Sequence, residues 1–348
     1  MSKYKQHPET RINRPTISDV AKAAGVSKAT VSRVLNGTAT HMRPTTAEKV
    51  KVAVRSLQFR PNALARSLSL RRSGTLALVV SDVVNPFYTR IIHGLEDAAL
   101  KQGSNIFLCN TNYDLERGLT MIRSLIDKQV DGVLLMSSSM ETEWLRELQQ
   151  NHVPAVVLDP VSERVQSGVA TIRVDFGTGI DQAVAALRQA GHKKLGLVTG
   201  PLELKTARVR RDAFLEAARS HQLDPESIVQ SEGDFRIGGG RRALEPLRRA
   251  GVTAVFCCND LMALGVLLEA RKRDLVLPRD LSVVGLDDIE MAAESFPALS
   301  TVALPRYEIG QLAAELIFEL MTPGTQAVSK QRVATHYVER DTVAHVGA

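Results

Sequence analysis

From residue 75 onward, short runs of consecutive apolar residues alternate with longer stretches whose apolar positions recur every three to four residues. The runs are 75–81 (TLALVVS), Asn105–Asn110 (NIFLCN), Gly132–Met136 (GVLLM), Ala155–Leu158 (AVVL), 171–174, 194–199 (KLGLVT), 254–258 (AVFCC) and 281–285 (LSVVG). Between them 91–102, 115–128, 177–190, 210–221 and 261–273 carry helical spacing. Unbroken Val/Ile/Leu runs separated by helices predict parallel strands buried on both faces. Eight such units exceed one open sheet of ordinary size, so the pattern predicts two α/β lobes.

The first 74 residues follow a different pattern. Residues 1–14 show no periodicity and read as a disordered arm. Ile17, Val20, Ala21 and Ala24 then form a helical stripe that Thr16 or Ser18 can cap. Gly25 can take the left-handed conformation that ends a helix. Ser27 can cap a second helix from Lys28 to about Leu35, with Val31, Val34 and Leu35 inward. Lys28, Ala29, Ser32 and Arg33 share its outer face, where no acid repels phosphate. A third helix, 46–57, closes the core with Val50, Val54 and Leu57. Short helices, a glycine turn and a small basic face predict a helix-turn-helix.

Charge sharpens this division. Residues 1–74 hold 15 Lys/Arg and 3 Asp/Glu, whereas 75–348 hold 29 Lys/Arg and 35 Asp/Glu. A basic head on a mildly acidic body predicts a polyanion-binding module attached to something else. No run of apolar residues is long enough to cross a membrane, the N-terminus lacks the apolar core of a secretory signal, and the three cysteines form no disulfide framework; a cytoplasmic protein is expected. No Walker-type loop, G-x-S-x-G elbow, H-E-x-x-H or C-x-x-C occurs, and adjacent Cys257 and Cys258 would point to opposite faces of a strand. No cofactor, metal site or catalytic residue is expected.

Polar residues follow nearly every apolar run of the body: Asp82 and Asn85, Asn110, 137–139, Asp159, Asp175, Asn259 and Asp260, Asp287 and Asp288. Doubly wound sheets bind ligands beyond the carboxyl ends of their strands, although Asp and Asn also favour such turns for their own sake. Aromatics stand among them, in Asn85-Pro86-Phe87-Tyr88 and at Phe235. Rings that stack on C–H faces, beside carboxylates and amides that take hydroxyls, suit a polyhydroxylated ligand. Arg208 and Arg210 precede a predicted helix and could hold a charged or ring-oxygen group.

The 22 residues Thr16-Ile-Ser-Asp-Val-Ala-Lys-Ala-Ala-Gly-Val-Ser-Lys-Ala-Thr-Val-Ser-Arg-Val-Leu-Asn-Gly37 resemble the N-terminal signature of the lactose-repressor (LacI/GalR) family. The segment 60–68 (RPNALARSL) resembles its hinge helix, and Asn85-Pro86-Phe87-Tyr88, 207–210 (ARVR), 258–265 (CNDLMALG), 283–288 (VVGLDD) and 304–310 (LPRYEIG) resemble its landmarks in the body. The stretch 38–45 is one residue longer than the common pattern, Leu286 stands where an aromatic is commoner, and Ala213 where glycine is common.

The resemblance implies a helix-turn-helix DNA-binding domain (15–59), a hinge helix and linker (60–73), and a periplasmic-binding-protein-like (type I) α/β effector-binding and dimerisation domain (74–348). Its N-lobe would span about 74–173 plus 304–332, its C-lobe about 174–303 plus 333–348, joined by three crossovers. By resemblance Ser27, Lys28, Ala29, Ser32 and Arg33 enter the major groove, and Thr16 and Asn36 hold phosphates. Asn62 and Ala65 line the minor groove, and Leu68 is the apolar wedge. Asp82, Asn85, Phe87, Arg210, Phe235, Asn259 and Asp287 contact the effector. The implied function is an effector-responsive regulator, most simply a repressor of carbohydrate genes: a homodimer on double-stranded, pseudo-palindromic operator DNA, released by a small sugar-like molecule. The alternatives are a corepressor-dependent regulator with a nucleoside or purine effector, and a cytosolic sugar-processing α/β enzyme with a DNA-binding head.

Overall fold

The computed structural model describes residues 15–35, 42–60, 72–136, 141–160, 168–322 and 330–347. The chain divides into two units, Met1–Ser73 and Gly74–Ala348. The expectations at Asn36, Asn62, Ala65, Leu68, 137–139 and the arm 1–14 lie outside the described residues.

In the first unit α1 (Ile17–Ala24), α2 (Lys28–Leu35) and α3 (Pro44–Ser56) pack around Val20, Ala24, Val31, Val50, Ala53 and Phe59. Thr16, not Ser18, caps α1. Its hydroxyl accepts from the Asp19 amide at 3.4 Å, and the Asp19 carboxylate takes the Thr16 amide at 2.8 Å. This reciprocal box satisfies amides that the first helical turn leaves open. Gly25, at φ +66°, ends α1 in the left-handed region and turns the chain towards α2. The third helix starts two residues before the sequence pattern places it, because Pro44 brings a helix-ready φ to its first turn.

The second unit contains two six-stranded sheets. The first runs β11 (Lys330–Ala334), β5 (Val169–Asp175), β4 (Ala155–Leu158), β3 (Gly132–Met136), β1 (Thr75–Val80), β2 (Asn105–Asn110), all parallel. The second runs β12 (His336–Val338), β10 (Ser300–Ala303), β9 (Ser282–Asp287), β8 (Ala254–Cys257), β6 (Leu195–Thr199), β7 (Ile228–Glu232), with β12 antiparallel. The chain crosses from the first sheet to the second after Asp175, returns after Ala303, and crosses again after Ala334. The first and third crossings fall two residues later than the boundaries the resemblance implies, because β5 and β11 continue pairing up to Asp175 and Ala334.

Helices cover both sheets. α4 (Phe87–Lys101) packs on α12 (Arg306–Leu320), and α9 (Ile237–Arg249) packs on α10 (Asp260–Lys272). Each pair crosses at two glycines. A Cβ on Gly94 would overlap the Tyr307 carbonyl and one on Gly310 the Ile91 carbonyl; Gly240 and Gly265 stand in the same relation to Met262 and Ile237. The remaining helices are α5 (Leu115–Asp127), α6 (Glu141–Gln150), α7 (Phe176–Gln189), α8 (Lys205–Ser220) and the short α11 (Glu290–Glu294). In both sheets the strand order reverses beside the first strand of the lobe, β1 or β6, which opens a crevice at the carboxyl ends.

Candidate DNA-reading face and effector cleft

On α2 the outer face is free for a partner. Ser27 is spent on capping, accepting from the Thr30 amide at 3.1 Å. Lys28, Ala29 and Arg33 are exposed and Ser32 is half-buried, while Val31 is fully buried beneath them. Arg33 and Lys28 form no ion pair among the described residues, and the first turn of α2 carries no acid. A helix that keeps its cations unpaired and its small residues outward presents guanidinium donors at a groove-sized width. Thr16 sits at the positive end of α1, its hydroxyl engaged with Asp19.

In the body a narrow cleft of about 60 Å³ lies where the carboxyl ends of the two sheets converge, and Arg210 crosses it. Its guanidinium lies 4.9 Å from the Phe176 ring centroid, 5.8 Å from Phe235 and 6.0 Å from Phe87. Nη1 donates to the Cys258 carbonyl at 2.7 Å, and Nη2 approaches Asp287 Oδ1 at 3.1 Å. Both side chains are over nine-tenths buried. The ion pair is not aligned as a hydrogen bond: Arg210 Nε and Asp287 Oδ1 both lack a hydrogen-bond partner. Burial holds the Asp287 carboxyl up at about 6 against the pull of Arg210 and Arg306. Burial likewise holds Asp159, across the cleft, at about 6. A donor and an acceptor left open side by side in a dry site are costly unless a ligand completes them.

Backbone strain gathers at the same place. Tyr113, Asp159, Phe235 and Asp287 line the cleft with positive φ, and Asp287 reaches 121°; Asn112, just before Tyr113, is at 53°. Such conformations persist only where surrounding contacts enforce them. The two lobes are tied together by separate polar contacts: Asp82 to Arg236 at 2.8 Å, Arg90 to Glu290 at 3.3 Å, Arg306 to the Asp288 carbonyl, and Lys205 to the Pro160 carbonyl.

Residues 16–62 match the family described as bacterial regulatory proteins, lacI family, and residues 184–343 match the periplasmic binding protein-like domain. The chain is 34% identical over 307 residues to the HTH-type transcriptional repressor PurR of Aliivibrio salmonicida (strain LFI1238), covering 87% of this chain and 91% of that one. It is 34% identical over 332 residues to the ribose operon repressor of Escherichia coli (strain K12), covering 93% and 98%. The chain belongs to the lacI family of bacterial regulatory proteins. Among solved structures, the lac repressor dimer bound to operator and the anti-inducer ONPF superposes with a TM-score of 0.83 at 27% identity, covering 95% of this chain and all of that one. These relatives are repressors, and this chain is a DNA-binding regulator of their family rather than an enzyme.

Within this lacI-family regulator, Asn85, Phe87, Arg210, Phe235, Asn259 and Asp287 all line the cleft. Asp82 does not line it; its carboxylate stands at the rim, held by Arg236. Asn259 is anchored at both ends, with one donor of its amide group still unassigned: Oδ1 caps α10 through the Met262 amide at 3.0 Å, and Nδ2 donates to the Phe235 carbonyl at 2.9 Å. Its place in the site is to fix Phe235. Asn85 Oδ1 likewise accepts from the Phe87 amide at 3.0 Å. Arg208 and Arg210 do not precede a helix, since α8 begins at Lys205; Arg208 turns away to the Leu202 and Glu203 carbonyls.

Several polar strand ends serve the fold instead of the cleft. Asp260 is fully buried, takes the Ile289 amide and the Thr301 hydroxyl, and is held at about 7 by burial and by Asp287. Asn110 takes the Val83 amide, and Asp288 pairs with Arg340 at 2.7 Å. Leu286 points to the opposite side of β9 from Asp287 and is core, not pocket. Tyr113, Met136, Leu158 and Thr206 line the cleft with no signal in the sequence; only the fold brings them there.

Proposed function

We propose that the chain is a homodimeric transcriptional repressor whose two heads hold a pseudo-palindromic operator and whose cleft binds a small polyhydroxylated effector. The observation that carries this reading is the incompletely satisfied pair in the cleft: buried Arg210 Nε has no acceptor, and Asp287 Oδ1 has only the misaligned ion pair with Arg210 Nη2 at 3.1 Å and no aligned donor. A sugar hydroxyl is donor and acceptor at once and completes both. Phe87 and Phe235 offer rings for its C–H faces.

Ser27, Lys28, Ala29, Ser32 and Arg33 read the major groove, with Arg33 bidentate to guanine. Thr16 and Asn36 fix register on phosphates; Asn62 and Ala65 enter the minor groove and Leu68 wedges a base step. A short hinge helix is marginal alone, so paired hinges fold on DNA and melt when the lobes shift. The effector shifts the lobes by replacing the single polar ties between them with its own contacts, and the coupling is reciprocal. The protein acts in the cytoplasm, on the nucleoid.

The test is fluorescence anisotropy on DNA flanking the gene, with neutral sugars, sugar acids, sugar phosphates and nucleosides added in turn. Tight, salt-dependent binding to one palindrome, released by one sugar compound, is the expected result. Equal affinity for every duplex, or release by a nucleoside with no response to any sugar compound, overturns it.

A further inference from the structure

A second chamber opens beside the cleft. It measures about 290 Å³, far roomier than the cleft itself, and the two share Asp159 and Thr206 as wall residues. Its wall also includes Phe176, whose ring centroid lies 4.9 Å from the Arg210 guanidinium that crosses the cleft, so the two spaces adjoin.

The chamber is lined by three cations: Arg173, Lys205 and Arg332. Arg173 and Arg332 are register partners on parallel β5 and β11. Like charges set opposite one another across strands repel and disfavour the sheet unless a counter-charge stands between them. The described residues supply part of it. Arg332 meets Asp175 at 3.0 Å. Arg173 has no ion pair or hydrogen bond among the described residues. Asp159, the one carboxylate among the described wall residues, already gives an oxygen to the Val174 amide at 2.8 Å. Lys205 Nζ donates to the Pro160 carbonyl. The same Lys205 opens α8, whose N-terminus has no side-chain cap and no acid in its first turn. A helix start of that kind, flanked by arginines, favours an anionic oxygen group.

We infer that the effector is an anionic polyol: its hydroxylated ring occupies the cleft on Arg210, and its phosphate or carboxylate occupies the adjoining chamber on Arg173, Lys205 and Arg332. This rests on the sugar-binding reading of the cleft and narrows it. Acidic members of a sugar series then bind more tightly than their neutral parents, by ~10–100-fold, the range set by one or two charge-assisted hydrogen bonds.

Calorimetry on the full-length protein tests this with matched probes: ribose and ribose 5-phosphate; glucose, glucose 6-phosphate and gluconate; and inorganic phosphate alone. Operator binding is measured in parallel. The expected result is at least one acidic sugar that binds ~10-fold or more tighter than its neutral parent. Arg173→Gln, which takes away one of the two like charges in register across β5 and β11, removes most of that gain and leaves the parent's affinity and the unliganded operator affinity within ~2-fold. Phosphate-bearing and carboxylate-bearing probes then show which acid the chamber prefers. A neutral sugar that releases the operator as well as its acidic derivatives do overturns the inference and keeps the cleft reading. So does a gain that persists in Arg173→Gln and Arg332→Gln together. A protein that holds its operator and binds none of the probes overturns the inference, whereas one with no operator preference puts the regulator reading itself at fault.

Discussion

The head and the body place their recognition groups on opposite sides of the solvent boundary. On α2 Lys28, Ala29 and Arg33, which we propose read the DNA, stand in water and the fold is held by Val20, Val31 and Val50 beneath them. In the body, Arg210, Asn259 and Asp287 are buried and are themselves part of the packing. The head can therefore change specificity without touching stability, as surface substitutions generally do. In the cleft the two are coupled: a residue that binds the effector also satisfies a neighbour.

The sharpest break of this contrast is Arg210→Ala. It strands Asp287 as a buried carboxylate and removes the cation from beneath three phenyl rings. Losing one member of a buried pair costs about 3–5 kcal/mol. The chain's only tryptophan, Trp144, is fully buried in the body and none lies in the head, so its fluorescence follows body unfolding in urea. The midpoint should fall markedly and effector release should vanish. An unchanged midpoint would mean that Arg210 is a binding group only, and the contrast would fail.

Gly94→Ala is next, at about 2–3 kcal/mol, because a methyl there meets the Tyr307 backbone and forces α4 from α12. The Trp144 transition should move while Arg210 and Asp287 keep their geometry, so effector affinity per folded molecule holds. Loss of affinity without loss of stability would place this helix pair in the signalling path. Arg33→Ala, by contrast, should leave the Trp144 transition where it is and weaken operator binding by about 2 kcal/mol, with one base position relaxed. Retained operator preference in a gel-shift competition would remove Arg33 from the readout.

The same boundary explains what was legible in the sequence. The head is local: cap, stripe, glycine and basic face lie within consecutive residues, so 3.6-residue spacing and turn chemistry expose nearly all of it. In the body the buried central strands announced themselves by unbroken apolar runs. Four strands did not: β7 is a half-exposed edge, β10 is buried but begins Ser-Thr, and β11 and β12 are short and polar. α9 was hidden by its three glycines and Pro246, which only a close helix crossing and an exposed position make tolerable. The cleft residues that follow strands were visible as polar ends. Tyr113, Met136 and Thr206 were not, because nothing local distinguishes a residue that the topology alone carries to a cleft. Asn259 and Asp260 show the opposite limit: a polar strand end reads alike whether it faces a ligand, caps a helix or staples a core.

The smallest effect is one of pH, and it separates the buried carboxylates of the body, which respond, from Asp19 of the head, which does not. Asp260 titrates near 7 and Asp159 and Asp287 near 6 in the folded body, above the ordinary carboxylate value of 3.8. Between pH 8 and 6.5 the folded state therefore takes up protons that the unfolded chain does not, and linkage requires stability to rise as pH falls, by about 1 kcal/mol. His192 works the other way, since burial lowers its value from 6.5, but its cost develops mainly below that window. Asp19 in the head is held below the ordinary value by the Thr16 backbone and hydroxyl, so it stays ionised throughout the window and its capping contribution does not change there. Calorimetric melting should show the body's transition climbing on acidification from pH 8 to 6.5. Asp260→Asn should remove most of the slope, since the amide keeps an acceptor for the Ile289 N–H and the Thr301 hydroxyl can turn to accept. A flat or falling transition in the parent protein would mean that these carboxylates are solvated in the folded body, and that the cleft is as open to water as the face of α2.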